Sequence, residues 1–129
     1  MKKLNEKPRE GIASLLKSAG VGLREGIGKG NFFDREISIT DLVFLVGPRI
    51  NAAGRIESAT DSVKLLISHE KEYAEKLGRL INEMNLTRRD LDSNITNEAI
   101  ELLRANDISK KRTTVVYNEK WHKGVIGIV

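Results

Sequence analysis

Several common features are missing from this sequence of 129 residues, and each absence excludes a class of protein. The chain has no cysteine, which excludes a disulfide framework and a thiolate metal site. No apolar run approaches the ~20 residues that a membrane-spanning helix needs, so no membrane partner is expected. The first ten residues, MKKLNEKPRE, carry the lysines of a signal peptide, but no apolar segment follows them. We therefore expect a cytoplasmic protein.

Aromatic residues are also scarce, at 5% of the chain, whereas charged residues make up 31% and hydrophobic residues 40%. This composition is typical of a helix-rich folded protein rather than of a disordered one. The net charge is +4, with basic residues concentrated in 1–40 and 111–129 and a slight acidic excess in 61–110. The basic ends suit a polyanionic partner or, alternatively, are an ordinary solvated surface.

Hydrophobic periodicity predicts short helices in the first half of the chain. Residues 8–19 have apolar side chains at helical spacing, with Pro8 at a first helical position and Gly20 as a stop signal. A second helix is predicted over 40–46, with Thr40 as its N-cap. The Gly-Pro pair that follows this helix is expected to interrupt it.

The longest predicted element follows a helix over 61–68. From Glu70 to Asn106 the chain has no proline and one glycine. Its apolar residues recur at spacings of three and four: Tyr73, Leu77, Leu80, Ile81, Met84, Leu91, Ile95, Ala99, Leu102 and Leu103. One helix here would extend about 55 Å, which is long for a compact domain. It is either a coiled-coil arm or a spacer between two bodies, and we favour the spacer because the apolar stripe is too irregular for a sustained heptad.

Two other segments complete the coarse organisation. The glycine-rich stretch over 20–31 fails the spacing of a Walker loop and of a G-x-G-x-x-G motif, so we interpret it as a flexible connection. Residues 112–118, RTTVVYN, are rich in β-branched side chains and predict a strand. The chain then ends on the apolar run GVIGIV with nothing after it to cover that run. We therefore expect the sequence to be a piece of a larger protein.

The most informative stretch is GPRINAAGR, over 47–55. If Pro48 opens a helical turn, the free N–H groups there attract anions. Arg49 would lie in that turn, while Asn51 and Arg55 are four residues apart and share a face. Small residues leave room for a close approach, and guanidinium groups fit phosphate oxygens in pairs. The stretch predicts a phosphate-binding surface; the alternative is a buried arginine paired with a carboxylate, with the small residues packing between helices.

The second candidate is WHKGVIGIV, over 121–129. His122 follows the predicted strand and a turn, where a histidine can bind a ligand or a phosphate, although a lone histidine is also a common polar surface residue. Trp121 is the sole tryptophan and either stacks on a base or fills a seam between domains. No catalytic or metal-binding set can be assembled, because His69 and His122 are far apart in sequence and the acidic residues lie at salt-bridge spacings on a helix.

In order along the chain, GPRINAAGR, a long charged helix and YNEKWHKGVIGIV resemble the RecJ family, single-stranded-DNA-specific exonucleases of the DHH phosphoesterase superfamily. The segment LNEKPREGIASLLKSAGV is similar to the part that follows the RecJ catalytic domain. The resemblance covers nearly the whole chain except about residues 22–36. It implies an internal piece of a 5′-to-3′ exonuclease that hydrolyses phosphodiester bonds of single-stranded DNA in repair and recombination.

The resemblance also implies a domain organisation. Residues 1–60 would be the helical end of the DHH catalytic region, 61–110 the connector helix, and 111–129 the truncated start of the DHH-associated domain. The expected fold is mainly α with a small α/β portion: the helical segment and the connector join two α/β domains of the parent protein, and the first strand of the second domain follows them.

On this resemblance, Arg49, Asn51, Arg55 and His122 would contact the phosphates of single-stranded DNA. The Mn²⁺ or Mg²⁺ ions of the reaction would be held by aspartates and a histidine outside this chain. The chain itself, with no catalytic or metal-binding residue, is expected to be inactive. Two alternatives stay open: a stand-alone helical interaction protein, using residues 61–106, and a small nucleic-acid-binding module that uses the two arginines and the basic ends.

Overall fold

The computed structural model describes residues 1–24, 30–105 and 112–127, so part of the glycine-rich stretch, at 25–29, lies outside the described residues. Within these ranges the chain is mainly helical, which confirms the predicted fold class. The described helices are α1 (Lys2–Glu6), α2 (Glu10–Ser18), α3 (Ile39–Asp41), a π-helical turn (Leu42–Val46), α4 (Gly47–Ile56), α5 (Thr60–Ile67) and α6 (Lys71–Ala105). The chain divides into two compact units, the first over Met1–Asn85 and the second over Leu86–Val129.

The carboxyl-terminal end of α2 has the glycine stop that the sequence predicts. Gly20 has a φ of +89°, a conformation that favours glycine. The N–H groups of Gly20 and Val21 donate to the carbonyls of Lys17 and Leu16, each at 3.0 Å. These two hydrogen bonds form a Schellman motif, which satisfies carbonyls that the end of the helix would otherwise leave unpaired.

Two predicted helix starts differ from the structure by one or two residues. Pro8 precedes α2 instead of occupying its first turn, because Arg9 is extended and acts as the N-cap. The prediction of Thr40 as an N-cap is wrong, since Ser38 caps α3. The Ser38 hydroxyl accepts from the Asp41 N–H, and the Asp41 carboxylate accepts from the Ser38 N–H. This reciprocal capping box requires a cap three residues before the acid, a spacing that Thr40 does not have.

The glycine and proline at the start of α4 do not interrupt the helical path, contrary to the prediction. The π-helical turn over Leu42–Val46 leads directly into α4, and the Gly47 N–H donates to the Leu42 carbonyl five residues back. In an α-helix the ring of Pro48 would clash with the carbonyl four residues earlier, and proline has no N–H to donate. A wider π turn before the proline relieves this conflict, so the helix continues.

The core of the first unit combines α2, the π turn, α4, α5 and the first half of α6. Its fully buried side chains include Leu15, Leu16, Phe33, Ile37, Leu65 and Ile81. On α6 the buried residues recur at the spacings of three and four that the sequence indicates: Ala74, Leu77, Ile81 and Met84. The long predicted helix is thereby confirmed, with 35 residues, and a short break separates it from α5 as expected.

Two glycines let α2 pack closely against its neighbours. A Cβ at Gly11 would overlap the backbone carbonyl of Leu65 on α5. A Cβ at Gly78 on α6 would overlap the hydroxyl of Ser14, which donates a 2.9 Å hydrogen bond to the Ala74 carbonyl. Since neither contact leaves room for a methyl group, the two glycines set the distances of α5 and α6 from α2.

The second unit contains the remainder of α6 and residues 112–127 of the described chain. Ile95 and Val125 are buried in this unit. The carboxylate of Glu98 accepts hydrogen bonds from the indole N–H of Trp121 at 2.8 Å and from Asn118 Nδ2 at 3.2 Å. One acidic side chain of the helix therefore holds two side chains of the following segment.

The strand predicted over 112–118 is not formed. This segment has no helix or strand in the structure, and Val115 is 93% exposed. β-branched residues favour a strand when a neighbouring strand pairs with them, and the described residues of this unit provide no such neighbour. The division into 1–60, 61–110 and 111–129 stays a prediction. No helix in the described part of the chain is both long and apolar enough to cross a membrane.

We predict that Gly11→Ala lowers the free energy of unfolding by about 1–3 kcal/mol, because the added methyl group forces α2 away from the Leu65 carbonyl. Gly54→Ala is the matched control: the nearest neighbour of its new Cβ would be Ala59 Cβ, at an ordinary 3.6 Å. That change should raise the free energy of unfolding by about 0.5–1 kcal/mol. Urea denaturation followed by circular dichroism measures both, and equal effects would contradict the close approach of α2 and α5.

Candidate nucleic-acid interface

The GPRINAAGR stretch forms nearly the whole of α4, which spans Gly47–Ile56. Ala52 and Ala53 are buried, so these small residues serve helix packing, as the alternative interpretation of the motif expects. Asn51 and Arg55 are exposed and lie one helical turn apart. The helix therefore has one face that packs in the core and another that is open to a ligand.

The backbone at the start of α4 does not offer an anion site. Because α4 continues from the π turn, Val46 is already helical and the Gly47 N–H is bonded to the Leu42 carbonyl. The expectation that Pro48 opens a turn with free N–H groups is therefore wrong. Contact between this helix and an anion depends on its side chains.

Arg49 is half-buried and joins three parts of the first unit. Its Nε donates to Oδ1 of Asn82 on α6 at 2.9 Å, and its Nη1 donates to the Leu45 carbonyl in the π turn at 2.7 Å. These contacts fix the plane of the guanidinium group from two directions. The predicted contact of Arg49 with phosphate stays a prediction.

Asn82 is a residue of this site that the sequence did not reveal. It lies 33 residues after Arg49, and its type and spacing match those of many polar residues on the long helix. One signal marks it: Asn82 directly follows the buried Ile81, at the edge of the apolar stripe of α6. Edge positions of amphipathic helices are where polar side chains meet neighbouring elements.

His122 belongs to the second unit and is described apart from the three α4 candidates. Its Nδ1 accepts from the Gly124 N–H at 3.2 Å, and its carbonyl accepts from the Val125 N–H at 2.9 Å. These contacts stabilise a turn, and no strand precedes it in the described residues. Binding of phosphate by His122 stays a prediction, as do both roles considered for Trp121.

A cavity of about 460 Å³ also lies in the second unit. Its apolar and aromatic lining residues are Ile95, Ala99, Val116, Tyr117, Trp121 and Ile126, and Lys123 is its basic residue. Phosphate recognition uses several convergent cations or N–H donors. This mainly apolar cavity suits packing or an apolar ligand better than a phosphate.

An ion pair stabilises the helix start upstream of α4. Arg35 donates to both carboxylate oxygens of Asp41, at 2.7 and 2.9 Å, and the Ser38 hydroxyl donates to the same carboxylate at 2.8 Å. The hydrogen bond from Arg35, followed by those from Ser38, holds the pKa of Asp41 well below its usual range. The same pairing raises the pKa of Arg35.

The described residues do not supply a divalent-ion site. In residues 1–24, 30–105 and 112–127, no three His, Cys, Asp or Glu side chains gather closely enough to hold a metal ion. Mn²⁺ and Mg²⁺ take several oxygen ligands around one point. The described side chains therefore do not fit the ions that the resemblance implies, and no hydrolytic step can be assigned to these side chains.

Sequence comparison gives the relationship of the chain to known proteins. No protein-family model matches it. The chain is 34% identical over 119 residues to the single-stranded-DNA-specific exonuclease RecJ of Bacillus subtilis (strain 168). It is 33% identical over 97 residues to the RecJ of Haemophilus influenzae and 30% identical over 128 residues to that of Escherichia coli (strain K12). These alignments cover 92%, 73% and 95% of this chain, but 15%, 17% and 20% of the three proteins.

The chain is thus related in sequence to a class of DNA exonucleases. Within that class its relatives are RecJ proteins, which confirms the resemblance carried by GPRINAAGR and YNEKWHKGVIGIV. The chain spans about a fifth or less of the length of these curated relatives. The chain aligns with one part of the RecJ sequence, and the described residues of the chain itself are mainly helical.

We predict that Asp41→Asn lowers the urea midpoint of unfolding at pH 7, because it removes the ion pair with Arg35. Since the pKa of Asp41 is lowered in the folded state, its contribution is fully present above the unfolded-state pKa of about 3.9 and is lost as the pH falls toward the lower folded-state value. The difference between variant and wild type should therefore narrow below about pH 4. Denaturation series at several pH values measure this, with Asp90→Asn on the exposed side of α6 as control. A difference that is independent of pH would refute the ion pair.

Proposed function

We propose that this chain is part of a RecJ-type exonuclease, a metal-dependent phosphodiester hydrolase. The parent protein would degrade single-stranded DNA in the 5′-to-3′ direction, in the cytoplasm, during DNA repair and recombination. One observation carries the proposal: similarity to a protein named single-stranded-DNA-specific exonuclease RecJ extends over 92% of the chain. Similarity of this extent involves the other helices as well as the GPRINAAGR stretch, so a shared short motif does not explain it.

In this proposal the open face of α4 contacts the sugar-phosphate backbone of the DNA. Asn51 and Arg55 share that face, and the small Gly54 beside them leaves space for a strand to approach. A guanidinium group pairs with phosphate oxygens, and an amide N–H donates to them. Such contacts position a strand without selecting its sequence, which suits an enzyme that degrades any single strand.

The chemical step of the proposed reaction would belong to residues outside this chain. Hydrolysis with two divalent ions requires clustered ligands, and the described residues contain no such cluster. The Mn²⁺ or Mg²⁺ ions and their ligands would therefore be in the remainder of the parent protein. The role of this chain would be to bind the DNA strand through α4, with His122 as a further candidate contact in the second unit.

We predict that the 129-residue chain does not degrade single-stranded DNA in the presence of Mn²⁺, whereas the longer protein that contains it does. Release of nucleotides from a labelled oligonucleotide, with the label at either end, measures activity and direction. Substitution of the metal ligands of the longer protein is the control for contaminating nucleases. Digestion by the chain alone, or no digestion by the longer protein, would contradict the proposal.

We predict that Arg55→Ala weakens binding of the chain to fluorescein-labelled oligo(dT) about three- to tenfold, because one charge-assisted contact is lost. The slope of log K against log salt concentration should fall by about 0.7. Arg104→Ala, at an exposed position of α6, is the charge-matched control and should bind like the wild type. Anisotropy titrations at several KCl concentrations measure both. Equal losses in the two variants would mean that net charge alone matters and that α4 is not an interface.

A further inference from the structure

Arg49 is held differently from the exposed side chains on α4. Its Nε donates to Asn82 Oδ1 at 2.9 Å and its Nη1 donates to the Leu45 carbonyl at 2.7 Å. The two acceptors come from different elements, α6 and the π turn. A planar group that is bound at two of its nitrogen atoms is held in one orientation.

Asn82 is well placed to give this orientation a firm support. It lies on the part of α6 whose apolar side packs in the core, directly after Ile81 and two residues before Met84, both buried. Side chains carried by packed helices hold a functional group more accurately than those on loops. The side-chain oxygen Oδ1 of Asn82 therefore gives Arg49 an acceptor that is fixed with respect to α4.

We propose that Asn82 is a positioning residue: its side-chain oxygen orients the Arg49 guanidinium for contact with a phosphate of single-stranded DNA. The inference rests on the proposed function of α4. A guanidinium that is oriented before the strand arrives loses less conformational freedom on binding, so its contact contributes more to affinity. Asn82 itself does not touch the strand, and its effect on binding acts through Arg49.

Three variants of the 129-residue chain test the inference with labelled oligo(dT). Arg49→Ala should weaken binding about tenfold and lower the salt slope by about 0.7. Asn82→Leu, which keeps the size but removes the acceptor, should weaken binding about three- to tenfold. Asn82→Gln, which keeps a neutral amide oxygen as acceptor, should stay within about threefold of the wild type. Asn94→Leu is the matched control, at an exposed position on the same helix, and should bind like the wild type.

The outcomes separate the inference from the proposed function. If Arg49→Ala weakens binding and Asn82→Leu does not, the positioning role fails and the interface stands. If Arg49→Ala binds like the wild type, or the wild-type chain does not bind, the phosphate contact of Arg49 fails, and the positioning role with it. If Asn82→Leu lowers the melting temperature while the affinity and salt slope of the folded protein are unchanged, Asn82 is structural and the inference is overturned.

A measurement on the wild-type chain keeps the inference testable even if Asn82→Leu does not fold. In nitrogen–proton NMR spectra, the rate at which the side-chain Nε–H of Arg49 exchanges with water reports its hydrogen bond to Asn82. We expect slow exchange in the free chain, and a shift of the resonance with slow exchange retained when oligo(dT) is added. Rapid exchange in the oligo(dT) complex would mean that the bond to Asn82 breaks on binding, which would overturn the inference.

Discussion

The close approach of α2 to α5 and α6 is the constraint on which the first unit depends. Gly11 and Gly78 have no side chain to hold the helices apart, and the hydroxyl of Ser14 fills the remaining space while bonding to the Ala74 carbonyl. The distance that results fixes the first half of α6 against the core. Because α6 carries Asn82, this packing also determines where the Arg49 guanidinium is held.

Much of the fold follows from patterns within single segments, and the differences arise where a distant or unusual contact decides. The spacing of apolar residues predicts α2, α5 and the 35-residue α6, because each of these helices buries one apolar stripe. The π turn escapes prediction, since Pro48 normally breaks a helix and a wider turn is a rare way to keep it continuous. The strand expected at 112–118 is absent because strand formation depends on a partner, which local composition cannot supply.

The candidate site was also predictable only where patterns within one segment decide. The type and spacing of Asn51 and Arg55 place them on one face, and the structure leaves that face exposed. The hydrogen bond that holds Arg49 was not predictable, because its acceptor Asn82 is 33 residues away and resembles the other polar residues of α6 in sequence. The anion attraction expected from the backbone at Pro48 is absent because the preceding turn already engages the Gly47 N–H.

The π turn also sets the rotational phase of everything that follows it. A π turn contains about one residue more than an α-helical turn, so Leu42–Val46 accommodates an additional residue without changing the phase of α4, whereas the same residue in a regular α-helix would rotate α4 by about 100° around its axis. Ala53 would then leave the core, and the outward face would no longer be that of Asn51 and Arg55. The π turn between the Ser38 cap and the proline is therefore as important to this surface as its arginines. Among related chains, those that lack this additional residue should form a regular α-helical turn here and keep the same face of the following helix outward.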